Sequence, residues 1–346
     1  MLSAPPLQCS LPFSARPARN LRFRFPLSAF DNATFRWGCG FAVLRSLLFC
    51  LISISLVATP LLAQQTNKPQ APQPDDIIIA KARELRTQNQ TPSGEIFGQL
   101  LKNPKSLPVH LVPKSTTPLK GRELGRIASA AYVRIGWVFQ CTKCNHWHLN
   151  LAGGYAIAKD TVVTAQHVVT PPERVKKGTG FPVVVRGEDE VLSITGVLAG
   201  DEATDAVVLR VDCSNLSPLP LAGEIEVGDP VYCLSDPDGH RGIFTSGIVN
   251  HMEVAPGNSM QAQANNRITV STDWAPGSSG AAILDICGNA VGHVSTIEPI
   301  TCEEDGPSDS RKGKRQPASA VVMSLHEAVP ATSVQALLQQ PNTPVH

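Results

Sequence analysis

From about residue 130 onward, apolar residues fall in short runs separated by Gly, Pro, Asn and Asp, the rhythm of β-strands joined by turns. The runs 132–139, 154–158, 161–164, 182–185, 192–198 and 206–211 predict a first set of strands. Residues 213–222 (CSNLSPLPLA) read as a connection. A second set follows at 230–234, 243–250, 267–272, 280–285, 289–296 and 319–324. Pro330 then opens an apolar, helix-favouring stretch to Leu338, with proline in the first turn. Many short strands plus one end helix predict an all-β fold of two packed six-stranded β-barrels, the first over about 130–212 and the second over about 222–325.

Upstream the pattern changes. Residues 64–75 (QQTNKPQAPQPD) are a polar, Pro-rich linker, and residues 102–120 are again rich in Pro, Lys, Ser and Thr. Between them, Asp75-Asp76 precede Ile77–Leu85, a short helix with acids at its start. The region before about 125 is expected to pack weakly or to stay mobile. The apolar run Leu47–Ala58 lies behind Arg45 and exits through Pro60-Leu61-Leu62-Ala63, which reads as a secretory signal peptide over 41–63. The run is short for a full span; its other reading is a retained membrane anchor over 46–58. Residues 1–40 hold five arginines and a single acid, Asp31, and read as an organelle-targeting extension or a start codon placed too early. The chain thus divides into a presequence (1–63), a Pro-rich linker with short helices (64–124) and a folded domain (125–340). The expected location is secreted or periplasmic, with an N-terminal membrane anchor as the alternative.

Composition adds two bounds. A net charge of +1 gives no reason to expect a nucleic acid or an anionic membrane as partner. Aromatics are 5% while Pro (29) and Gly (26) are plentiful, which suits a loop-rich β protein.

The candidate chemistry sits in three segments: Thr164-Ala165-Gln166-His167-Val168, Thr204-Asp205-Ala206-Val207-Val208-Leu209 and Pro276-Gly277-Ser278-Ser279-Gly280-Ala281. A serine hydroxyl needs an imidazole to take its proton, and the imidazole needs a carboxylate to fix its tautomer and stabilise its charge. Backbone N–H groups must meet the oxyanion, so glycines flank the serine. Each segment alone also fits a bland role: a Gly-Ser turn, a strand-end core histidine, an aspartate opening a strand. Order, spacing and flanking strands together point to Ser279 as nucleophile, His167 as base and Asp205 as its orienting carboxylate.

These segments resemble the trypsin-like serine peptidases of chymotrypsin fold, and within them the HtrA/Deg type. Thr204–Val211 is close to that family's aspartate strand, Pro218–Ala222 and Val227–Val231 to the entry into its second barrel, and Thr245-Ser246-Gly247-Ile248-Val249 to its "TSGIV" strand. The resemblance covers about residues 130–340. It implies a serine endopeptidase working through an acyl-enzyme, with protein or peptide substrates and no cofactor required for catalysis. It implies a cleft between barrels, with His167 and Asp205 from the first and Ser279 from the second, and an oxyanion hole from the N–H groups of Gly277 and Ser279. Ser295, on the strand after the nucleophile, matches a serine that bonds the triad aspartate in this family. Ser278 stands where trypsin and its relatives carry an Asp that pairs with a newly cut N-terminus, so that activation route is not expected here. The family's usual PDZ domain has no room before His346, so a peptidase domain without one is expected. Asp273 has the offset of trypsin's acidic pocket base, or simply bonds local backbone. Val294, Thr296 and Ile297 would narrow the pocket toward small aliphatic side chains.

Two features stand outside this scheme. Cys141-Thr142-Lys143-Cys144-Asn145-His146-Trp147-His148 has the ligand types for a structural zinc at Cys141, Cys144, His146 and His148. A local disulfide and reduced cysteines beside surface histidines are the other readings. In an extended strand, residues 144, 146 and 148 would share one face. Cys213, Cys233, Cys287 and Cys302 complete six cysteines after the presequence, without a pairing that sequence selects. Residues 302–316 read as an exposed charged loop. The competing function is a catalytically silent binding module that holds a partner in the cleft or at the Cys/His cluster.

Overall fold

The computed structural model describes residues 73–253, 264–303 and 319–339. The expected presequence, signal peptide and anchor, and nearly all of the charged 302–316 loop, lie outside the described residues.

Three helices precede the strands: α1 (Pro74–Thr87), α2 (Gly94–Lys102) and α3 (Gly121–Ala131). Asp75 and Asp76 occupy the first turn of α1 and Arg86 the last, each complementing the helix dipole. Ser93 caps α2 by accepting the Ile96 N–H at 3.3 Å. These helices do not pack weakly, as their composition had suggested. Ile78, Ala82, Phe97 and Leu124 are fully buried.

The first β unit contains β1 (Tyr132–Gln140), β2 (Trp147–Ala158), β3 (Thr161–Thr164), β4 (Phe181–Arg186), β5 (Glu190–Leu192), β6 (Ile194–Asp201) and β7 (Ala206–Val211). Its strand order is β5-β4-β1-β2-β3-β7-β6. The expected six strands became seven because 192–198 breaks at Ser193. The chain pairs with β4 before that residue and with β7 after it. The two outermost strands are therefore joined by one residue. The twisted sheet curls until its edges meet there, with the Ser193 carbonyl accepting the Asp212 N–H at 2.9 Å. Strand pairing itself does not close this unit, so the first expected barrel takes the form of a curled seven-stranded sheet within the expected all-β fold.

β1 is buried on both faces, which explains its near-continuous apolar run. Its inner face carries Val133, Ile135 and Trp137. Val138 lies outside, under Ala82 of α1, together with Phe181 and Val183. β2 starts seven residues earlier than its apolar pattern indicated, because Trp147, Leu149 and Leu151 pack into that outer cluster and Arg83 lies 4.6 Å from the Trp147 ring.

The second unit is a closed barrel of six strands: β8 (Pro230–Ser235), β9 (Ile243–Glu253), β10 (Arg267–Val270), β11 (Ala282–Leu284), β12 (Ala290–Glu303) and β13 (Ser319–Pro330), in the order β10-β13-β12-β11-β8-β9. The last helix, α4 (Ala331–Gln339), follows directly. Tyr155, Ile157 and Val163 of the first unit share one core with Ala282, Leu284 and Val329 of the second and with Val334 and Leu337 of α4. This seam sets the two units against each other.

Phe97 meets Trp137 edge-on at 6.1 Å and is wholly buried. Phe97→Ala should cost about 3–5 kcal/mol by transfer and cavity terms. Urea unfolding should show that loss, and an unchanged midpoint would mean that α2 is not integral to the fold.

Candidate active site

His167 lies in a 3-10 turn, Gln166–Val169, that follows β3. Asp205 ends the β6–β7 turn, where Asp201 Oδ2 accepts the Thr204 N–H at 2.7 Å and the Thr204 hydroxyl at 2.6 Å. Asp205 itself has a φ of 57°, a conformation that L-residues rarely adopt outside turns. That strained backbone aims the carboxylate at His167.

The carboxylate accepts the His167 backbone N–H at 3.1 Å and meets Nδ1 at 3.0 Å through each oxygen. Because a carboxylate only accepts, Nδ1 carries the proton and Nε2 of the neutral ring keeps its lone pair. Ser295 Oγ, from β12, donates to Asp205 Oδ2 at 2.5 Å, a short charge-assisted bond. Burial alone would raise the Asp205 pKa, but the bonds from His167 and Ser295 outweigh it and hold the group at about 2. The Asp205 side chain is 15% exposed and that of His167 is 51% exposed, so the charge is sheltered while the imidazole faces the cleft.

One contributor was missed from sequence. His293 is fully buried, and its Nε2 donates to the Asp205 carbonyl at 3.0 Å. Burial pushes its pKa down to about 4, so the ring is neutral at physiological pH. Its spacing of two from Ser295 on one strand was the available signal.

The Ser279 loop is held at both ends. Gly280 N–H donates to Val294 O at 2.7 Å, and Val294 N–H donates back to Ala281 O at 2.9 Å. Gly280 has a φ of 82°, and a Cβ there would collide with Thr164 Oγ1 and lie 2.9 Å from Ala165 N. The backbone beside Ser279 thus rests on the end of β3, two residues before His167. No hydrogen bond between Ser279 Oγ and His167 occurs among the described contacts; such bonds often tighten only when substrate binds.

The Pro276 carbonyl accepts the Asp238 N–H at 2.7 Å. A trans peptide places the next N–H on the opposite side, so that of Gly277 points away from the Asp238 turn. Gly277 has a φ of 98°, and a Cβ there would lie 2.8 Å from Asp236 O, so only glycine fits. Among the described contacts, neither the Gly277 nor the Ser279 N–H has a partner. Both are free to receive an anion. A cavity of about 270 Å³ borders Gly277, with Asp75, Arg134, Asp236 and Arg241 in its walls. Nothing in the sequence had placed α1 beside the site.

The candidate pocket residues divide. Asp273 is exposed, with its carbonyl accepting the Thr245 hydroxyl at 3.2 Å. Val294 is buried and Ile297 packs in the same core as Trp274. The Ser295 side chain is committed to Asp205.

Residues 152–292, which contain His167, Asp205, Gly277 and Ser279, match the family model of the trypsin-like peptidase domain. The serine protease PepD of Mycobacterium tuberculosis is 30% identical over 124 residues, 34% of this chain and 26% of that protein. The serine endoprotease DegS of Haemophilus influenzae is 27% identical over 152 residues, 43% of this chain and 42% of that protein. The chain thus spans less than half the length of these relatives. A crystal structure of a serine endoprotease from Yersinia pestis superposes with a TM-score of 0.44 at 17% identity, over 64% of this chain and 66% of that one. The chain carries a trypsin-like peptidase domain, homologous to serine proteases of the HtrA, DegS and PepD kind.

The buried groups at the seam predict a pH dependence of stability. His293 titrates at about 4 when folded and at an ordinary 6.5 when unfolded, so the unfolded chain binds the extra proton between those values. The stability tied to its neutral form is complete above 6.5 and is lost as pH falls toward 4, on the order of 3 kcal/mol. Asp205 adds a second loss as pH falls from 3.8 toward 2. Urea midpoints should therefore be lower at mildly acidic than at neutral pH; equal midpoints would count against a neutral buried His293.

Proposed function

We propose that this protein is a serine endopeptidase. Ser279 Oγ attacks the scissile carbonyl carbon while His167 Nε2 takes its proton, and the carbonyl oxygen becomes an oxyanion held by the Gly277 and Ser279 N–H groups. Collapse expels the amine, which leaves with the proton that His167 returns, and an acyl-enzyme remains on Ser279. Water, deprotonated by His167, then releases the acid and restores the hydroxyl. Asp205 keeps Nδ1 protonated and stabilises the imidazolium; Ser295 and His293 position Asp205.

The observation that carries this reading is the Asp205–His167 pair, with its Nε2 lone pair unclaimed beside a loop that offers two free N–H groups. The substrates are proteins or peptides. The apolar run 47–58 supports export, which would place those substrates outside the cytoplasm. The second reading is a binding module that holds a partner in the cleft or at the Cys/His cluster, whose donors converge apart from the cleft.

A fluorophosphonate reacts only with an activated serine, so it separates the two. The wild type should be labelled and should cleave casein. Ser279→Ala should stay folded, escape labelling and lose at least about 10⁴-fold in kcat. Casein cleavage by Ser279→Ala at the wild-type rate would remove Ser279 as nucleophile.

If His167 is the base, His167→Ala should lose kcat about as severely as Ser279→Ala while staying folded. A His167→Ala protein that cleaves casein at the wild-type rate would exclude that role.

A further inference from the structure

The tip of the β1–β2 hairpin holds a cluster that the peptidase chemistry does not use. It precedes the 152–292 span matched by the family model. Cys141 Sγ, Cys144 Sγ and a ring nitrogen of His148 all lie within 4.8 Å of one another. Cys144 Sγ is 3.0 Å from His148 Nε2.

The backbone explains how four residues of loop bring these groups together. Cys141 leaves β1 and Thr142–Cys144 turn back. The Lys143 N–H points at Cys141 Sγ at 3.4 Å, and the Asn145 N–H donates to Cys141 O at 3.0 Å. Asn145 takes a φ of 58°, a left-handed step that Asn tolerates better than most residues. The chain then re-enters β2 with Cys141 N–H bonded to His146 O at 2.9 Å. His148 follows on the strand, its ring stacked on Phe139 at 5.7 Å and 22°. The ring orientation is thus fixed by packing.

We propose that Cys141, Cys144 and His148 bind one zinc ion, which clamps the hairpin tip. Two thiolates and a neutral imidazole are the borderline-soft donors that zinc takes in structural sites, and their two negative charges balance the dication. Each thiol that ligates releases its proton. The fourth position belongs to water or to His146, which is exposed nearby but falls outside the group of converging donors. The four-ligand set expected from sequence is reduced to three because the turn, not an extended strand, carries residues 142–145. A disulfide accounts less well for the geometry: both cysteines are free thiols, and a disulfide has no use for an imidazole nitrogen 3.0 Å from Cys144 Sγ.

The position suggests what such a clamp does. Residues 174–176 brace the tip: Thr142 N–H donates to Arg174 O at 3.0 Å, Lys176 N–H to Gln140 O at 2.8 Å, and Lys176 Nζ to Asn145 Oδ1 at 3.0 Å. That segment belongs to the loop that begins just after the His167 turn. The metal would therefore stabilise the tip and the loop together, without touching the cleft.

The test uses the full chain, purified reduced and dialysed. Metal analysis should find about one zinc per chain. After chelation, added cobalt(II) should give sulfur-to-metal charge-transfer absorption. Zinc should raise the thermal midpoint of the stripped protein. Cys144→Ser and His148→Gln, both at solvent-facing positions, should each weaken metal binding by at least about 10-fold and remove the zinc-dependent shift. Three results would overturn the proposal: wild-type protein without zinc or cobalt absorption, full metal content in both variants, or Cys141 and Cys144 that alkylate only after reduction. None of these readouts depends on peptidase activity.

Discussion

The Asp205 carboxylate is the group on which the site and the seam both depend. It is a largely buried charge, and such a charge is tolerated only when its oxygens are bonded. Its partners come from both halves of the molecule. His167 follows β3 in the first unit, while Ser295 stands on β12 of the second, where His293 also bonds the Asp205 backbone carbonyl. A buried carboxylate that loses a hydrogen-bond partner is left under-solvated, so docking of the two units and orientation of the imidazole are held by the same group. The unusual backbone at Asp205 belongs to the same economy, because strain of this kind persists where surrounding structure over-determines it.

Close backbone approach is the second constraint. Gly280 rests on Thr164 and Ala165, and Gly153 of β2 faces Ala281, so the serine loop packs directly on β2 and on the end of β3. Gly277 fits against Asp236 O for the same reason. These glycines convert the packing of two sheets into placement of reactive groups. The apolar core of Tyr155, Leu284, Val329 and Val334 beneath them keeps the loops from drifting apart. Helices α1 and α2 close the outer side and one end of the first unit, so residues upstream of the strands are part of its core.

The Cys/His cluster obeys a different logic. It sits at the far end of β1 and β2 from the seam register, where a hairpin tip has little apolar surface to bury. A zinc bound there, as proposed, would supply rigidity that packing cannot. Its bracing segment runs on from the His167 turn, so the tip and the site share a loop but not a chemistry.

Much of this was legible in the chain. Strand positions followed from short apolar runs, and His167, Asp205 and Ser279 stood out because each chemical role demands a local context. The same was true of Cys141 and Cys144. What sequence alone could not decide was anything that depends on a partner distant along the chain. The break at Ser193 arises because one run serves two neighbours, β4 and β7. The burial of Ile78 and Phe97 depends on faces that β1 and β4 present only after folding. His293 looked like any strand histidine, and its bond to the Asp205 carbonyl spans 88 residues. His146 and His148 looked equivalent until the left-handed step at Asn145 separated them. Periodicity and side-chain chemistry are properties of neighbours in sequence and can be read directly. Burial, hydrogen-bond partners and convergence are set by neighbours in space, and only the tertiary structure chooses those.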